Sequence, residues 1–134
     1  GHAGIVFMFG PSSHTIVRGN TCVGNNGAGV ALLGDLDSQG RKFKAHHWII
    51  EQNTLRDNRW GVFAQFADWV DIAENQTSGN AAGDLFVVWN TDGGLGWQAF
   101  DSDCRPVGAE GHSATAGKGA AAVVDKTGRF VVIR

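Results

Sequence analysis

The sequence predicts an all-β protein, built as a solenoid in which short strands stack in successive coils. Three stretches of the chain can be superimposed: HTIVRGNTCVGNNGAGVAL from His14, HWIIEQNTLRDNRWGVFA from His47 and WVDIAENQTSGNAAGDLF from Trp69. Self-similarity at a fixed spacing of this length is the signature of a repeat architecture. Alternating apolar residues and a high glycine content are the other two observations that predict this fold class.

Two asparagines recur at the same places in the three stretches, five residues apart, and a glycine that opens an apolar run follows them. The first asparagines are Asn20, Asn53 and Asn75, the second are Asn25, Asn58 and Asn80, and the glycines are Gly29, Gly61 and Gly83. The second and third stretches are offset by 22 residues at all three positions. Asparagine tolerates left-handed backbone and bonds to nearby backbone, so we expect an asparagine ladder at one corner of every coil. We expect the glycines to mark the next bend.

Apolar residues alternate on both sides of these landmarks, which is the period of a β-strand. Equivalent positions hold Thr15 and Val17, Trp48 and Ile50, and Val70 and Ile72, and Ile5/Phe7, Val30/Leu32 and Val62/Ala64 alternate in the same way. We therefore predict two or three short strands per coil, paired in parallel with the next coil at about 4.8 Å. The 20 glycines in 134 residues are about twice the usual share and fall mostly between these apolar runs.

Composition and charge predict a single folded domain with no nucleic acid or membrane among its partners. The chain is 43% hydrophobic and carries a formal charge of −2, which gives no long-range attraction to nucleic acid or to an anionic membrane. No apolar stretch reaches the roughly 18 to 20 residues of a membrane span. The chain opens with Gly-His-Ala-Gly in a coil that is already in progress, so we expect a fragment, a processed chain or a tag remnant with missing N-terminal coils. About three coils is near the minimum for a stable stack, so we also expect a homo-oligomer or a missing partner.

The spacing of the two asparagines and the glycine followed by an apolar run resembles the repeat of right-handed parallel β-helix proteins, the pectate-lyase-like family of carbohydrate-binding and sugar-hydrolase repeat proteins. The resemblance covers residues 3–90. It implies a right-handed parallel β-helix of about three to four coils over residues 1–90, a polysaccharide or oligosaccharide partner, no cofactor, and an extracellular or periplasmic location.

Past Asn90 the repeat is lost, and we predict a C-terminal cap over residues 91–134. Two β-prone runs flank Asp-Lys-Thr-Gly, which predicts a hairpin over residues 119–134. The end of a solenoid exposes unpaired strand edges, so a covering element is expected there.

One coil carries an insertion. Gly29 and Gly61 are 32 rather than 22 residues apart, and the extra residues predict a loop over 35–45. Loops on a rigid scaffold are frequent binding sites. We therefore predict that substrate is contacted by Asp35, Asp37, Lys42 and Lys44, with Lys42, Lys44 or Arg41 neutralising a uronate. A solvated loop with no role is the alternative.

With the first asparagines as the register, Ser13, His46 and Asp68 form one column, and His14, His47 and Trp69 form the next. Alternation turns the second column away from the core, which predicts an exposed ladder of two imidazoles and an indole. Flat rings stack on sugar faces, and Asp71, two residues after Trp69, would accept hydrogen bonds from hydroxyls. We predict that these four side chains bind substrate.

His46 beside Asp68 forms a candidate catalytic pair, because a carboxylate can orient an imidazole that acts as general base. Metal ligation by His46, His47 and an insertion aspartate lacks any recognised ligand spacing, so no metal site is predicted. Cys22 aligns with Leu55 and Thr77 and is expected in the core, although a disulfide to Cys104 stays open if the cap reaches it.

Two smaller predictions concern charges along the repeat. Arg18 and Glu51 share an outward column and should form an ion pair across coils. Asp84 occupies the slot of Val30 and Val62, where a charge is costly, and we expect the solenoid to end there.

Two functions follow from these predictions. The first is a polysaccharide-interacting β-helix domain that, if catalytic, belongs to a larger lyase, epimerase or hydrolase. The second is a structural or assembly segment of a larger surface or periplasmic protein without catalysis. A third, metal handling, rests on the five histidines alone.

Overall fold

The structure is a computed structural model that describes residues 3–8, 12–38, 41–43, 45–91, 94–103, 105–113, 121–124 and 130–133. Every helix or strand assigned in these residues is a β-strand, so the predicted all-β class is confirmed. None of the described residues forms a helix long and apolar enough to cross a membrane.

The chain runs three times through three strand positions, always in the same order, and each run is called a passage below. The first passage contains β1 (Ala3–Met8), β2 (Ser12–Arg18) and β3 (Thr21–Val23). The second contains β4 (Ala28–Leu33), a hairpin of β5 (Asp35–Ser38) and β6 (Arg41–Phe43), then β7 (Ala45–Glu51) and β8 (Thr54–Arg56). The third contains β9 (Trp60–Gln65), β10 (Ala67–Ala73) and β11 (Gln76–Ser78), and β12 (Gly83–Thr91) then returns to the first strand position.

Equivalent strands of successive passages pair in parallel and form three sheets. Sheet A contains β1, β4, β9 and β12, sheet B contains β2, β7 and β10, and sheet C contains β3, β8 and β11. Within sheet B, His46 pairs with Ser13 on one side and with Asp68 on the other. The register predicted from the asparagines is therefore confirmed.

Two corners of each passage, after the strand of sheet B and after the strand of sheet C, are made by a residue in the left-handed region followed by an asparagine. At the first corner, Gly19, Gln52 and Glu74 have φ between 54° and 69°, and each precedes an asparagine of the ladder. Asn53 Oδ1 accepts from the backbone N–H and the side-chain Nδ2 of Asn20, at 3.0 and 3.1 Å. Asn75 Oδ1 accepts from Asn53 in the same way. The asparagine ladder is confirmed.

A second ladder forms at the next corner. Asn58 Oδ1 accepts from the backbone N–H and Nδ2 of Asn25, and Asn80 Oδ1 accepts from the backbone N–H of Asn58. Asn58 Nδ2 also donates to the carbonyl of Cys22 at 3.0 Å, which ties the corner to the strand of the preceding passage. Both ladders therefore satisfy backbone groups that a turn would otherwise leave unpaired.

Two of the glycines that recur after the asparagines, Gly29 and Gly61, do not mark bends. Gly29 and Gly61 lie inside β4 and β9, outside the left-handed region. A Cβ on Gly29 would stand 2.9 Å from the carbonyl oxygen of Gly61, closer than real Cβ atoms approach. The expected bend is wrong: these glycines are needed because consecutive passages of sheet A approach each other closely.

The core lies between the three sheets and consists of inward aliphatic side chains with one indole. Its large buried members include Val30, Leu32, Trp48, Ile50, Leu55, Val62, Val70 and Val87. Cys22 is a buried free thiol paired in register with Leu55, as predicted. Burial raises the pKa of the Cys22 thiol, which disfavours the reactive thiolate. Cys104 lies outside the described residues.

The insertion is an antiparallel hairpin rather than a loop, because β5 and β6 pair with each other. Residues 39–40 and Lys44 lie outside the described part of the chain.

On sheet B, Arg18 Nε donates to Glu51 Oε1 at 2.7 Å, so the predicted ion pair across passages is confirmed.

Antiparallel strands follow the parallel ones. β13 (Gly94–Phe100) pairs with β12, and β14 (Pro106–Ser113) pairs with β13, which extends sheet A. β15 (Ala121–Val124) and β16 (Phe130–Ile133) form the predicted C-terminal hairpin, and β16 joins sheet B beside β10. The connection at 125–129 is outside the described residues. Strand edges of sheets A and B are thus covered at this end.

Asp84 does not occupy the slot of Val62, because one extra residue follows Asn80. Gly83 pairs with Trp60 and Leu85 with Val62, so Leu85 fills the core position. Asn80 Nδ2 donates to Asp84 Oδ1 at 2.7 Å. The expected end of the repeat at Asp84 is also wrong, since β12 continues to Thr91.

Candidate functional site

The candidate site lies on the outward side of sheet B, where all three parallel strands bend at the same position. His14, His47 and Trp69 have φ of 54°, 56° and 53°, in the left-handed region that non-glycine residues rarely adopt. Such a conformation costs about 1–2 kcal/mol per residue. Three consecutive strands therefore hold a strained residue at one register position, a pattern that is concentrated at functional sites.

The bend changes the direction of the side chains. Ala45 and Trp48 are both buried, and between them His46 is half-buried and His47 is exposed. In a regular strand, positions 46 and 47 would lie on opposite faces. The left-handed residue instead turns both imidazoles away from the core.

The rings at the bend form a continuous stack across the sheet. The His14 and His47 ring centroids are 4.9 Å apart with an interplanar angle of 6°, and those of His47 and Trp69 are 6.1 Å apart at 18°. Trp69 is 51% exposed. The predicted exposed ladder is confirmed as a structural feature, and its role in binding stays a prediction.

The stack also changes what a sugar could contact. Because His47 lies between two stacked rings, its faces are turned toward its neighbours and its edge is turned toward solvent. A sugar can therefore stack only on ring faces that no neighbouring ring covers, which are those at the two ends of the ladder and the parts of each ring that extend past its neighbour. Along its length the ladder offers ring edges and imidazole nitrogens that can donate or accept hydrogen bonds.

His46 completes a cluster of three imidazoles. Its Nδ1 lies 2.8 Å from Nδ1 of His47, so one nitrogen donates and the other accepts. Its ring meets the His14 and His47 rings edge-on, with centroids 5.9 and 5.0 Å apart. Asp68 is next to His46 in the register of β7 and β10 and is buried. The structure thus brings the two predicted catalytic residues to neighbouring strands.

An apolar floor lies beside the ladder and was missed from the sequence. Ile16, Ile49 and Asp71 pair in register two residues beyond the ladder, on the same face. Together with the ladder they line a groove of about 400 Å³. Ile16 is 54% exposed. The sequence did contain a signal for this floor: strand alternation counted from Thr15 and its equivalent position places Ile16 and Ile49 outward.

The remaining predicted contacts are on the insertion. Asp35 and Asp37 lie on β5, and Lys42 lies on β6 with Arg41, so all four are on the hairpin between β4 and β7. Their part in substrate binding stays a prediction, and the Lys44 prediction falls outside the described residues.

Within the described ranges, no group of three or more histidine, cysteine, aspartate or glutamate side chains could hold a metal ion. Comparison of the chain with known protein families, curated proteins and solved structures finds no match.

Proposed function

We propose that this chain is a right-handed parallel β-helix domain that binds a polysaccharide through the groove beside His14, His47 and Trp69. The proposed fold is supported by three sheets in which the strands of successive passages pair in parallel, and by the constant order in which the chain visits these sheets. Asparagine ladders at two corners of each passage also support it.

One observation carries the binding proposal: an exposed ring ladder runs beside an apolar floor that ends at a carboxylate. Sugars present both C–H surfaces and hydroxyl groups. The C–H surfaces would pack on Ile16 and the indole of Trp69, and hydroxyls would bond to imidazole nitrogens and to Asp71. A carboxylate accepts several hydrogen bonds, so Asp71 can keep its contacts within the protein and still bind a hydroxyl.

The ladder crosses three strands, so it runs perpendicular to them. If an extended oligosaccharide lay along the ladder, several of its sugar units would contact the ladder at once. A monosaccharide would contact only one or two of the rings. We therefore propose a polymeric glycan as the ligand. Extracellular or periplasmic residence belongs to the same proposal.

A catalytic role would use His46 and Asp68. In the tautomer where His46 Nδ1 donates its hydrogen to His47 Nδ1, Nε2 carries no hydrogen and would take a proton from the sugar. Abstraction of a proton next to a uronate carboxyl would start a lyase or epimerase reaction, and activation of water would start a hydrolysis. Positive charge on the insertion, from Lys42 or Arg41, would stabilise a uronate.

The proposal is tested by a glycan array with the wild-type chain and the Trp69→Ala/His47→Ala double variant. We expect the double variant to lose retention on every glycan that the wild type binds, with a nearly unchanged melting temperature, because both side chains are exposed. Trp60→Ala, which removes an indole from sheet A instead, is the matched control and should retain binding. Absence of retention of the intact protein on any glycan would refute the proposal.

The second candidate function, a structural or assembly segment, is favoured by a different observation. β1, β2 and β3 each pair on one side only among the described strands. Such edges present unpaired backbone groups that can pair with another strand. For this function we expect sedimentation of the purified chain to show a defined oligomer at micromolar concentration. A monomer over the whole concentration range would count against it.

A further inference from the structure

The outward side of sheet A carries an apolar surface that the proposed function does not use. Strand alternation turns Val6, Ala31, Phe63 and Phe86 away from the core, and the register places them in one row across four strands. A second row two residues further along contains Met8, Leu33, Gln65 and Val88. Val6 and Met8 are each 48% exposed. Large apolar side chains arranged together on a surface are typical of a binding site.

Aromatic rings form the centre of this surface. Phe63 and Phe86 are stacked with centroids 5.3 Å apart, and the Trp60 ring is 5.2 Å from each of them. The guanidinium of Arg59 lies 4.2 Å from the Trp60 ring centroid. This cation–π contact fixes a positive charge at the end of the surface where β9 begins.

A groove of about 570 Å³ runs between these side chains. Its volume lies within the range of about 300–1,000 Å³ that is typical of small-molecule sites. Most of the described lining is apolar, and Arg59 and Asn26 provide polar groups near the start of β4 and β9. Arg59 is the charged residue in that lining, so the charge of the groove is positive and located at one end.

The size of the surface disfavours a second copy of the chain as the occupant. Four strands of about six residues cover roughly 20 by 19 Å, or about 400 Å² per partner. A stable protein–protein interface buries about 800 Å² per partner. The apolar surface by itself is therefore smaller than a stable dimer requires, whereas the groove within it matches a small ligand.

We infer that the groove on sheet A binds a small amphiphile that has an apolar body and one anionic group. The body lies along Val6, Met8 and Phe63 and packs against the aromatic rings. The anionic group lies at Arg59, where the guanidinium can donate hydrogen bonds while it stacks on Trp60. This site is on a different sheet from the proposed glycan groove and does not depend on it.

The experiment titrates the full chain with anilinonaphthalene sulfonate, an aromatic anion whose fluorescence rises in an apolar site. We expect saturable binding at one site, about tenfold weaker binding to Phe63→Ser, and several-fold weaker, less salt-dependent binding to Arg59→Gln. Met8→Ser, which changes an exposed side chain, serves as a second groove variant if Phe63→Ser does not fold. Ile16→Ser, an exposed isoleucine on sheet B, is the matched control and should bind like the wild type.

Cooperative urea unfolding of each variant must accompany the titration, because partly folded chains also bind this probe. Two results would overturn the inference: binding by the folded chain that does not saturate, and equal loss of affinity in Ile16→Ser and in the groove variants. Glycan retention by Phe63→Ser should stay at the wild-type level, so failure of this inference is distinguishable from failure of the glycan proposal.

Discussion

Replacement of Asn53 by alanine is expected to lower the free energy of unfolding by about 3–4 kcal/mol, because one buried side chain satisfies polar groups of the two neighbouring passages. Asn53 is fully buried. Its Oδ1 accepts two hydrogen bonds from Asn20, and its Nδ2 donates to the carbonyl of Val17 and to Oδ1 of Asn75. Alanine would leave the Asn20 N–H and the Val17 carbonyl without these partners.

Urea unfolding followed by tryptophan fluorescence measures the effect, with Asn20→Ala as the matched control. Asn20 is at the end of the same ladder, is only half-buried, and donates from Nδ2 to Asn53 and to the Arg18 carbonyl. We expect the control to cost about 1 kcal/mol, since the Arg18 carbonyl is accessible to water and Asn53 Oδ1 keeps its hydrogen bond from the Asn20 backbone N–H. Equal losses in the two variants would show that water replaces the amide in the middle of the ladder as well.

The ladder could be predicted from sequence because its chemistry is local. An asparagine after a left-handed residue can bond to neighbouring backbone wherever such a corner occurs, and equal spacing then aligns the corners of successive passages. The same spacing located the core position of Cys22 and the ion pair of Arg18 and Glu51. These predictions depended on the register and not on the direction of any single side chain.

The candidate site could be predicted only in part, because its geometry depends on a bend that leaves no local signal. The column of His14, His47 and Trp69 followed from the register. The contact between His46 and His47 did not, because alternation places consecutive residues on opposite faces and no glycine marks the left-handed position. The left-handed conformation recurs at equivalent positions of the neighbouring paired strands.

The register failed where one residue was added at a turn. After Asn58 the chain reaches the start of β9 in two residues, whereas after Asn80 it takes three to reach Gly83 at the start of β12. Gly83 therefore aligns with Trp60 rather than with Gly61. Gly83 stands 22 residues after Gly61, so the sequence aligned these two glycines and the extra residue went unnoticed. That alignment wrongly placed Asp84 in the core.

A second large effect is expected from Gly61→Ala, which should lower the free energy of unfolding by about 3 kcal/mol or more. A Cβ at this position would collide with the carbonyl oxygen of Asp84 and would stand 3.2 Å from its carbonyl carbon. Both atoms belong to the backbone of β12, which pairs with β9, so relief of the clash requires the two strands to separate. A flexible side chain could move aside, but a paired strand cannot do so without loss of hydrogen bonds.

Gly24→Ala separates this steric effect from the general cost of losing a glycine. Gly24 has φ of 70° and no atom within 4 Å of an added Cβ, so its replacement introduces backbone strain of about 1–2 kcal/mol without a clash. Urea unfolding of the two variants should therefore place Gly61→Ala well below Gly24→Ala in stability. The reverse order would mean that sheet A tolerates a wider spacing between β9 and β12, and that the recurring glycines are not required by close approach.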